Sequence, residues 1–170
     1  MIFVTVGTNE APFDRLVSGV SGLAGREEVV VQHGASAVRP EGATCIGFLP
    51  FDELVELVRR ARVVVTHAGV GSIMVALSQG KRPIVVPRLG RFGEAVDDHQ
   101  VPFARRLSER GLVTVVDDPS LLPAAIDDPH APVELESTGR LGLAQDLATY
   151  LRTLVDGAAP GGPDGPAHSR

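Results

Sequence analysis

Apolar residues along this chain gather into short, β-branched runs separated by stretches with helical spacing. Ile2–Val6, Glu28–Gln32, Thr44–Phe48, Val63–Thr66, Pro83–Val86 and Val113–Val116 read as strands. Helical patterns run from about Pro12 to Ala24, from Pro50 onward, over Ile73–Gln79, from Asp98 to Arg110 and over Leu141–Val155. In the second of these Leu54, Val55, Leu57 and Val58 supply the buried stripe, with Pro50 placed where proline opens a helix. Strands that are apolar on both faces need cover on both faces. The alternation of strand and helix therefore predicts an α/β domain, a parallel sheet flanked by helices.

Length and composition narrow this picture. The chain has 170 residues, enough for one domain with a sizeable core. The pattern places that domain at 1–156. The remaining GAAPGGPDGPAHSR, 157–170, holds seven Gly or Pro residues and no apolar periodicity, and reads as a disordered tail. A net charge of −5 gives no general attraction to nucleic acid or acidic lipid. Aromatic content of 4% disfavours a stacking platform for single-stranded nucleic acid. No apolar run reaches the roughly 18 residues of a membrane span. The opening MIFVTVGTNE lacks a basic leader and reads as a first strand rather than a signal peptide, which points to the cytoplasm. The single cysteine, Cys45, excludes an intrachain disulfide and reads as a small buried hydrophobe.

Candidate chemistry sits where strands end. The stretch Val63–Lys81, VVVTHAGVGSIMVALSQGK, turns through Ala68-Gly69-Val70-Gly71-Ser72 from a buried strand into a helix. Its glycines allow a tight turn, and Ser72 is expected to cap the helix over Ile73–Gln79. The same helix terminus can hold a diphosphate through backbone N–H groups and local positive potential. His67 can donate to a phosphate or sugar oxygen, or serve as a satisfied structural histidine. The first strand ends in Gly7-Thr8-Asn9, which reads either as a phosphate-contacting loop or as an ordinary strand-to-helix turn with an N-cap. Phe48 with Phe51 can border a nucleobase slot or pack into the core. The loop 87–99 is long and polar, and residues 81–110 carry seven Lys/Arg against four Asp/Glu, a local +3 that suits a negatively charged donor or an acidic partner face. Asp97, Asp98 and His99 look like a metal cluster by composition alone; an Asp-rich helix cap followed by His99 and Gln100 contacts to a sugar is the preferred reading, with no metal expected.

FVTVGTNEAPFDRL, THAGVGSIMVAL, GKRPIVVPR and DDHQVPFARRL, in this order, resemble the donor-binding half of the MurG-like UDP-sugar glycosyltransferases. The resemblance is closest to detached donor-binding subunits of two-component UDP-N-acetylglucosamine and exopolysaccharide transferases, and covers approximately residues 1–115. It implies a Rossmann-like sheet forming one half of a GT-B architecture. It implies a UDP-sugar as donor substrate, no tightly bound cofactor, and transfer of a hexosyl group to a lipid-linked or saccharide hydroxyl. It also implies a membrane-associated partner subunit carrying the acceptor domain, which would recruit the chain to the cytoplasmic membrane face. Its implied donor contacts are Gly7, Thr8, Asn9, Phe48, His67, Ala68, Gly69, Gly71, Ser72, Arg88, His99 and Gln100, with His67 and His99 as catalytic residues. A non-catalytic nucleotide-sugar-binding or regulatory subunit is the alternative. One departure stands out: Val75 occupies the position where a glutamate often engages ribose hydroxyls in that family.

Overall fold

A computed structural model describes residues 1–128. The apolar runs become six strands: β1 (Ile2–Thr5), β2 (Val29–Gln32), β3 (Thr44–Ile46), β4 (Val63–His67), β5 (Ile84–Val86) and β6 (Thr114–Val115). Between them lie helices α1 (Asp14–Gly19), α2 (Phe51–Arg60), α3 (Val70–Ser78), α4 (Gln100–Glu109) and α5 (Leu122–Asp127). The helix expected over Leu141–Val155, the domain end at 156 and the tail 157–170 lie outside the described residues.

All pairings are parallel, and the strand order is β3-β2-β1-β4-β5-β6. Alternate residues of the central strands serve opposite faces, as the pleat requires. Ile2, Val4 and Val65 join Phe13, Leu16, Val17, Leu122 and Ile126 in one core cluster. Phe3, Val30 and Val64 join Val58, Ala61 and Ala76 in the other. Each fully buried Val, Leu or Ile side chain contributes about 1.5–3 kcal/mol, so these two layers fix the register of the sheet. The edge strand β3 is more exposed, and Cys45 within it is only partly buried, packed at the rim of the first cluster.

The chain leaves β1 toward β2 and β3, then returns to place β4 on the other side of β1. Crevices at such reversals, outside the carboxyl ends of the strands, are where open α/β sheets hold ligands. The register makes this edge level: Thr5 lies opposite Gln32 on one side and Thr66 on the other. The loops after β1, β2 and β4 therefore leave the sheet at one height.

Three of the expected helices begin or end elsewhere, and α5 is one the sequence pattern did not predict. The first stops at Gly19, five residues short of Ala24, because Ser18, Gly19, Ser21 and Gly22 are poor helix formers; a separate 3₁₀ turn follows at Leu23–Gly25. The helix after β4 begins at Val70, three residues before Ile73. Ser72 is thus inside the first turn and is not the cap. Gly69 is the capping residue, and its carbonyl accepts the first helical bond from Ile73 N at 3.1 Å. The fourth helix begins at Gln100 rather than Asp98.

Candidate functional site

Two loops and one helix start meet at the sheet's carboxyl edge, around the imidazole of His67. Gly7, just past β1, has φ +77°, the left-handed region that glycine enters without a Cβ penalty. A Cβ there would collide with the His67 ring, lying 2.9 Å from Nε2 and 3.2 Å from Nδ1 and closer still to Cε1. Gly69 has ordinary backbone angles, yet a Cβ on it would overlap Nε2 and stand 2.8 Å from Cδ2. The ring is thus held between two glycines from different loops.

The loop holding Gly7 is tied down by Gln32. The Gly7 amide donates to Gln32 Oε1 and to Thr5 Oγ1, both at 3.2 Å. Gln32 Nε2 donates to the carbonyls of Gly7 (3.1 Å) and Gly47 (2.8 Å), and Thr5 Oγ1 donates to Gln32 Oε1 at 2.6 Å. One nearly buried amide therefore joins the loops after β1 and β3. This residue was read from sequence only as a strand end. A polar side chain closing an otherwise apolar strand was its one visible signal.

These elements border a cleft of about 370 Å³. Thr5, Gly7, Thr8, Gln32 and His67 line it from the strand ends and the loop after β1, and Gly71 and Ser72 bring the start of α3. Phe48, Leu49, Phe51 and Leu54, from the β3–α2 connection and α2, form an apolar wall with Val75 of α3. Phe48 and Phe51 are 59% and 65% exposed, so they stand at the mouth rather than in the core. The amides of Val70, Gly71 and Ser72 precede the helical hydrogen-bond ladder, which begins at Ile73, and such amides suit an anion.

His67 is neutral at physiological pH. Burial pushes its pKa down to about 4, the positive charge of Arg88 adds to the shift, and a hydrogen bond to the Thr5 backbone opposes it. The ring is therefore not a cation: its one N–H goes to the Thr5 carbonyl and its other nitrogen is an acceptor. Thr66 Oγ1 lies 3.4 Å from Nδ1.

Five expected site residues serve the scaffold rather than the cleft surface. Arg88 is fully buried, and its guanidinium reaches the carbonyls of Val6 (3.0 Å), Ala11 (2.9 Å) and Glu94 (3.0 Å) while stacking 4.6 Å from the centre of the Phe13 ring. A direct contact from Arg88 to a donor is thereby corrected: the side chain points into the protein because three carbonyls need its donors. Burial pushes its pKa down, with Glu94 opposing. Gln100 is likewise turned inward, its Oε1 accepting from the Arg88 amide at 3.1 Å. Ala68 is 2% exposed, and Gly69 lies under the imidazole. Asn9 is exposed, and its Oδ1 accepts from Ala11 N at 2.8 Å, closing an Asx turn.

His99, expected beside the sugar, does not line the cleft. It is solvent-exposed next to α4 and its ring pairs with the carboxylate of Asp97, which also accepts the His99 amide at 3.0 Å. Asp98 accepts from Gly90 N at 2.7 Å, shaping the loop instead of capping α4. The carboxylates of Asp97 and Asp98 thus serve different partners. Sequence reading also missed the partly buried Arg15–Glu94 pair. Glu94 accepts from Arg15 through both carboxylate oxygens at 2.8 Å and from Leu89 N at 3.0 Å. The pair fastens the 87–99 loop to α1, while Arg88 fastens it to Ala11 in the segment before that helix.

Comparison with known proteins identifies the family and the fold. The model of the glycosyltransferase family 28 C-terminal domain matches residues 1–137. The UDP-N-acetylglucosamine--N-acetylmuramyl-(pentapeptide) pyrophosphoryl-undecaprenol N-acetylglucosamine transferase of Ralstonia nicotianae is 38% identical over 105 residues, covering 61% of this chain and 26% of that protein. The UDP-N-acetylglucosamine transferase subunit ALG13 of Yarrowia lipolytica is 30% identical over 133 residues, covering 69% of this chain and 65% of that protein. The chain thus spans about a quarter of the first relative and about two thirds of the second. Among solved structures, the glycotransferase of kitacinnamycin superposes with TM-score 0.58 at 18% identity, covering 94% of this chain and 44% of that one. The Streptomyces sp. SF2575 glycosyltransferase SsfS6, complexed with thymidine diphosphate, gives 0.53 at 26% identity, covering 89% and 37%. The parallel sheet is accordingly that of one half of a GT-B glycosyltransferase, and the chain belongs to the family of glycosyltransferase family 28 C-terminal domains.

Proposed function

We propose that this chain is the donor-binding part of a UDP-sugar glycosyltransferase, transferring a hexosyl group to a lipid-linked or saccharide hydroxyl. One observation carries the reading: in a family 28 domain, the cleft at the sheet reversal gathers His67, the Gly7-Thr8 loop and the free amides of α3. The relatives named as UDP-N-acetylglucosamine transferases support a uridine nucleotide as donor.

In this reading the diphosphate lies over the start of α3, where the amides of Val70, Gly71 and Ser72 and the helix dipole stabilise negative charge. That charge grows as the sugar departs, so donors fixed in advance lower the barrier more than they tighten the ground state. The neutral His67 ring orients an oxygen of the donor without adding charge. The nucleoside lies against Phe48, Leu49 and Val75. The base that deprotonates the acceptor comes from the acceptor domain, supplied by a membrane-associated partner subunit that brings the chain to the cytoplasmic membrane face. No helix among the described residues is long and apolar enough to cross a membrane, so membrane attachment through such a partner fits them.

Calorimetry of the full chain with UDP, UDP-N-acetylglucosamine and UMP tests the donor site. We expect UDP and the UDP-sugar to bind, and a folded His67→Ala variant to lose at least tenfold in affinity. Absent binding, or unchanged affinity in that variant, overturns the site. Sugar transfer by the chain mixed with its acceptor-domain partner, and not by either alone, is the expected outcome of the matching activity assay. Full-rate transfer by the isolated chain overturns the partner requirement.

A further inference from the structure

The cleft is chemically lopsided. Its diphosphate end carries hydroxyls, amides and an imidazole, whereas the wall one helical turn further along α3 consists of Val75, Leu54 and Leu49. Ser72 and Val75 are three residues apart, hence on one face of α3 and about 4.5 Å apart along its axis. In a nucleoside diphosphate the pentose is one ester link from the nearer phosphate. A diphosphate seated at Gly71 and Ser72 therefore brings the pentose against Val75.

A ribose hydroxyl arriving there meets methyl groups. Among the described residues, no carboxylate lines the cleft. The one side-chain amide among the lining residues, that of Gln32, already accepts from Thr5 and Gly7 and donates to Gly7 and Gly47. Val75 itself packs against the cluster of Phe3, Val58 and Ala76, so it is held in place and does not swing aside. A hydroxyl turned to this wall exchanges water for nothing, and gains no affinity over a hydrogen in the same place.

We infer that the pentose subsite does not select for the 2′-hydroxyl, so that 2′-deoxyribonucleoside diphosphates and their sugars are bound as well as ribonucleoside ones, with Val75 as the determinant. The inference rests on the donor-binding reading above and adds to it the class of nucleotide. It differs from that reading in what it requires, since a site strict for ribose would still be a donor site.

The test compares UDP with dUDP, which differ only in the 2′-hydroxyl, by calorimetry on the full chain. The expected result is dissociation constants within threefold of each other. UDP bound tenfold or more tightly than dUDP overturns the inference and leaves the donor site standing. Binding of neither nucleotide overturns both. Val75→Glu and the more conservative Val75→Gln place an acceptor on the wall, and each is expected to favour UDP over dUDP by tenfold or more. If both variants fold, bind UDP and still show equal affinities, Val75 is not the determinant. Val75→Thr, close to isosteric, keeps this arm readable should the longer side chains unfold the domain; its preference for UDP over dUDP is expected to exceed the parent's own ratio by about threefold, and a ratio equal to the parent's counts against Val75.

Discussion

Gly7→Ala tests the packing around His67 most directly. Gly7 stands at φ +77°, and a residue bearing a Cβ loses about 1–2 kcal/mol in that left-handed region. The new Cβ would also sit 2.9 Å from His67 Nε2, and closer to Cε1. The ring must leave its rotamer, which costs about 0.5–1.5 kcal/mol. Alanine narrows the unfolded ensemble, which offsets about 0.4–1 kcal/mol. The net expectation is a loss of about 0.5–3 kcal/mol, read as a lower midpoint in urea unfolding at unchanged slope. Gly71→Ala is the matched control. A Cβ there meets no atom within 4 Å, and alanine within a helix is favoured over glycine by up to about 1 kcal/mol. The displaced ring should also titrate nearer its ordinary value, visible in the NMR shift of its Cε1 proton. Gly7→Ala as stable as the parent, with the His67 titration unmoved, would refute the sandwich.

Two further outcomes follow from the same site. Because the His67 pKa is lowered from 6.5 to about 4, the unfolded chain takes up the proton first. Stability is therefore full above about pH 6.5 and declines by about 3 kcal/mol as pH falls to 4. Urea midpoints of the parent against His67→Gln across this window should converge toward pH 4, and parallel curves would contradict the assignment. Glu27, held down to about 2 by Arg62 first and then by the terminal amine, loses its contribution only between about pH 4.5 and 2, so the two windows are separable. Replacing Arg88 with methionine leaves the carbonyls of Val6, Ala11 and Glu94 without donors and should cost about 3–5 kcal/mol. Lysine should not restore it, since one ammonium cannot reproduce the guanidinium fork; thermal melting of both variants decides.

The sheet was legible because its strands carry a strong local signal. Runs such as Val63–Val65 are buried on both faces, and nothing but a covered parallel strand accommodates them. The cleft was legible in part, since Gly7, Thr8, His67, Gly71 and Ser72 stand at strand ends that topology must bring together. The orientation of Arg88 was not. A cationic residue after an apolar strand reads as a ligand contact, and only the three-dimensional path of the chain reveals carbonyls from Val6, Ala11 and Glu94 converging on it. Gln32 was hidden for a similar reason, because its partners Thr5, Gly7 and Gly47 lie on two other loops. The start of α3 was misjudged at Ser72 because serine is the better cap by type, while the close fit of Gly69 beneath the ring depends on a residue two positions earlier. His99 and Gln100 are adjacent in sequence, yet one faces solvent and the other the interior.

The two glycines around His67 constrain divergence differently. The three atoms nearest to a Cβ at Gly69 all belong to the imidazole above it, so a lineage that first lost the histidine would relieve this clash for alanine or serine, whereas the reverse order passes through a clashing intermediate. Gly7 gains no such freedom, because its backbone angle persists after the ring is gone. The history of this turn should thus be directional: variation at position 69 follows variation at position 67, and position 7 outlasts both.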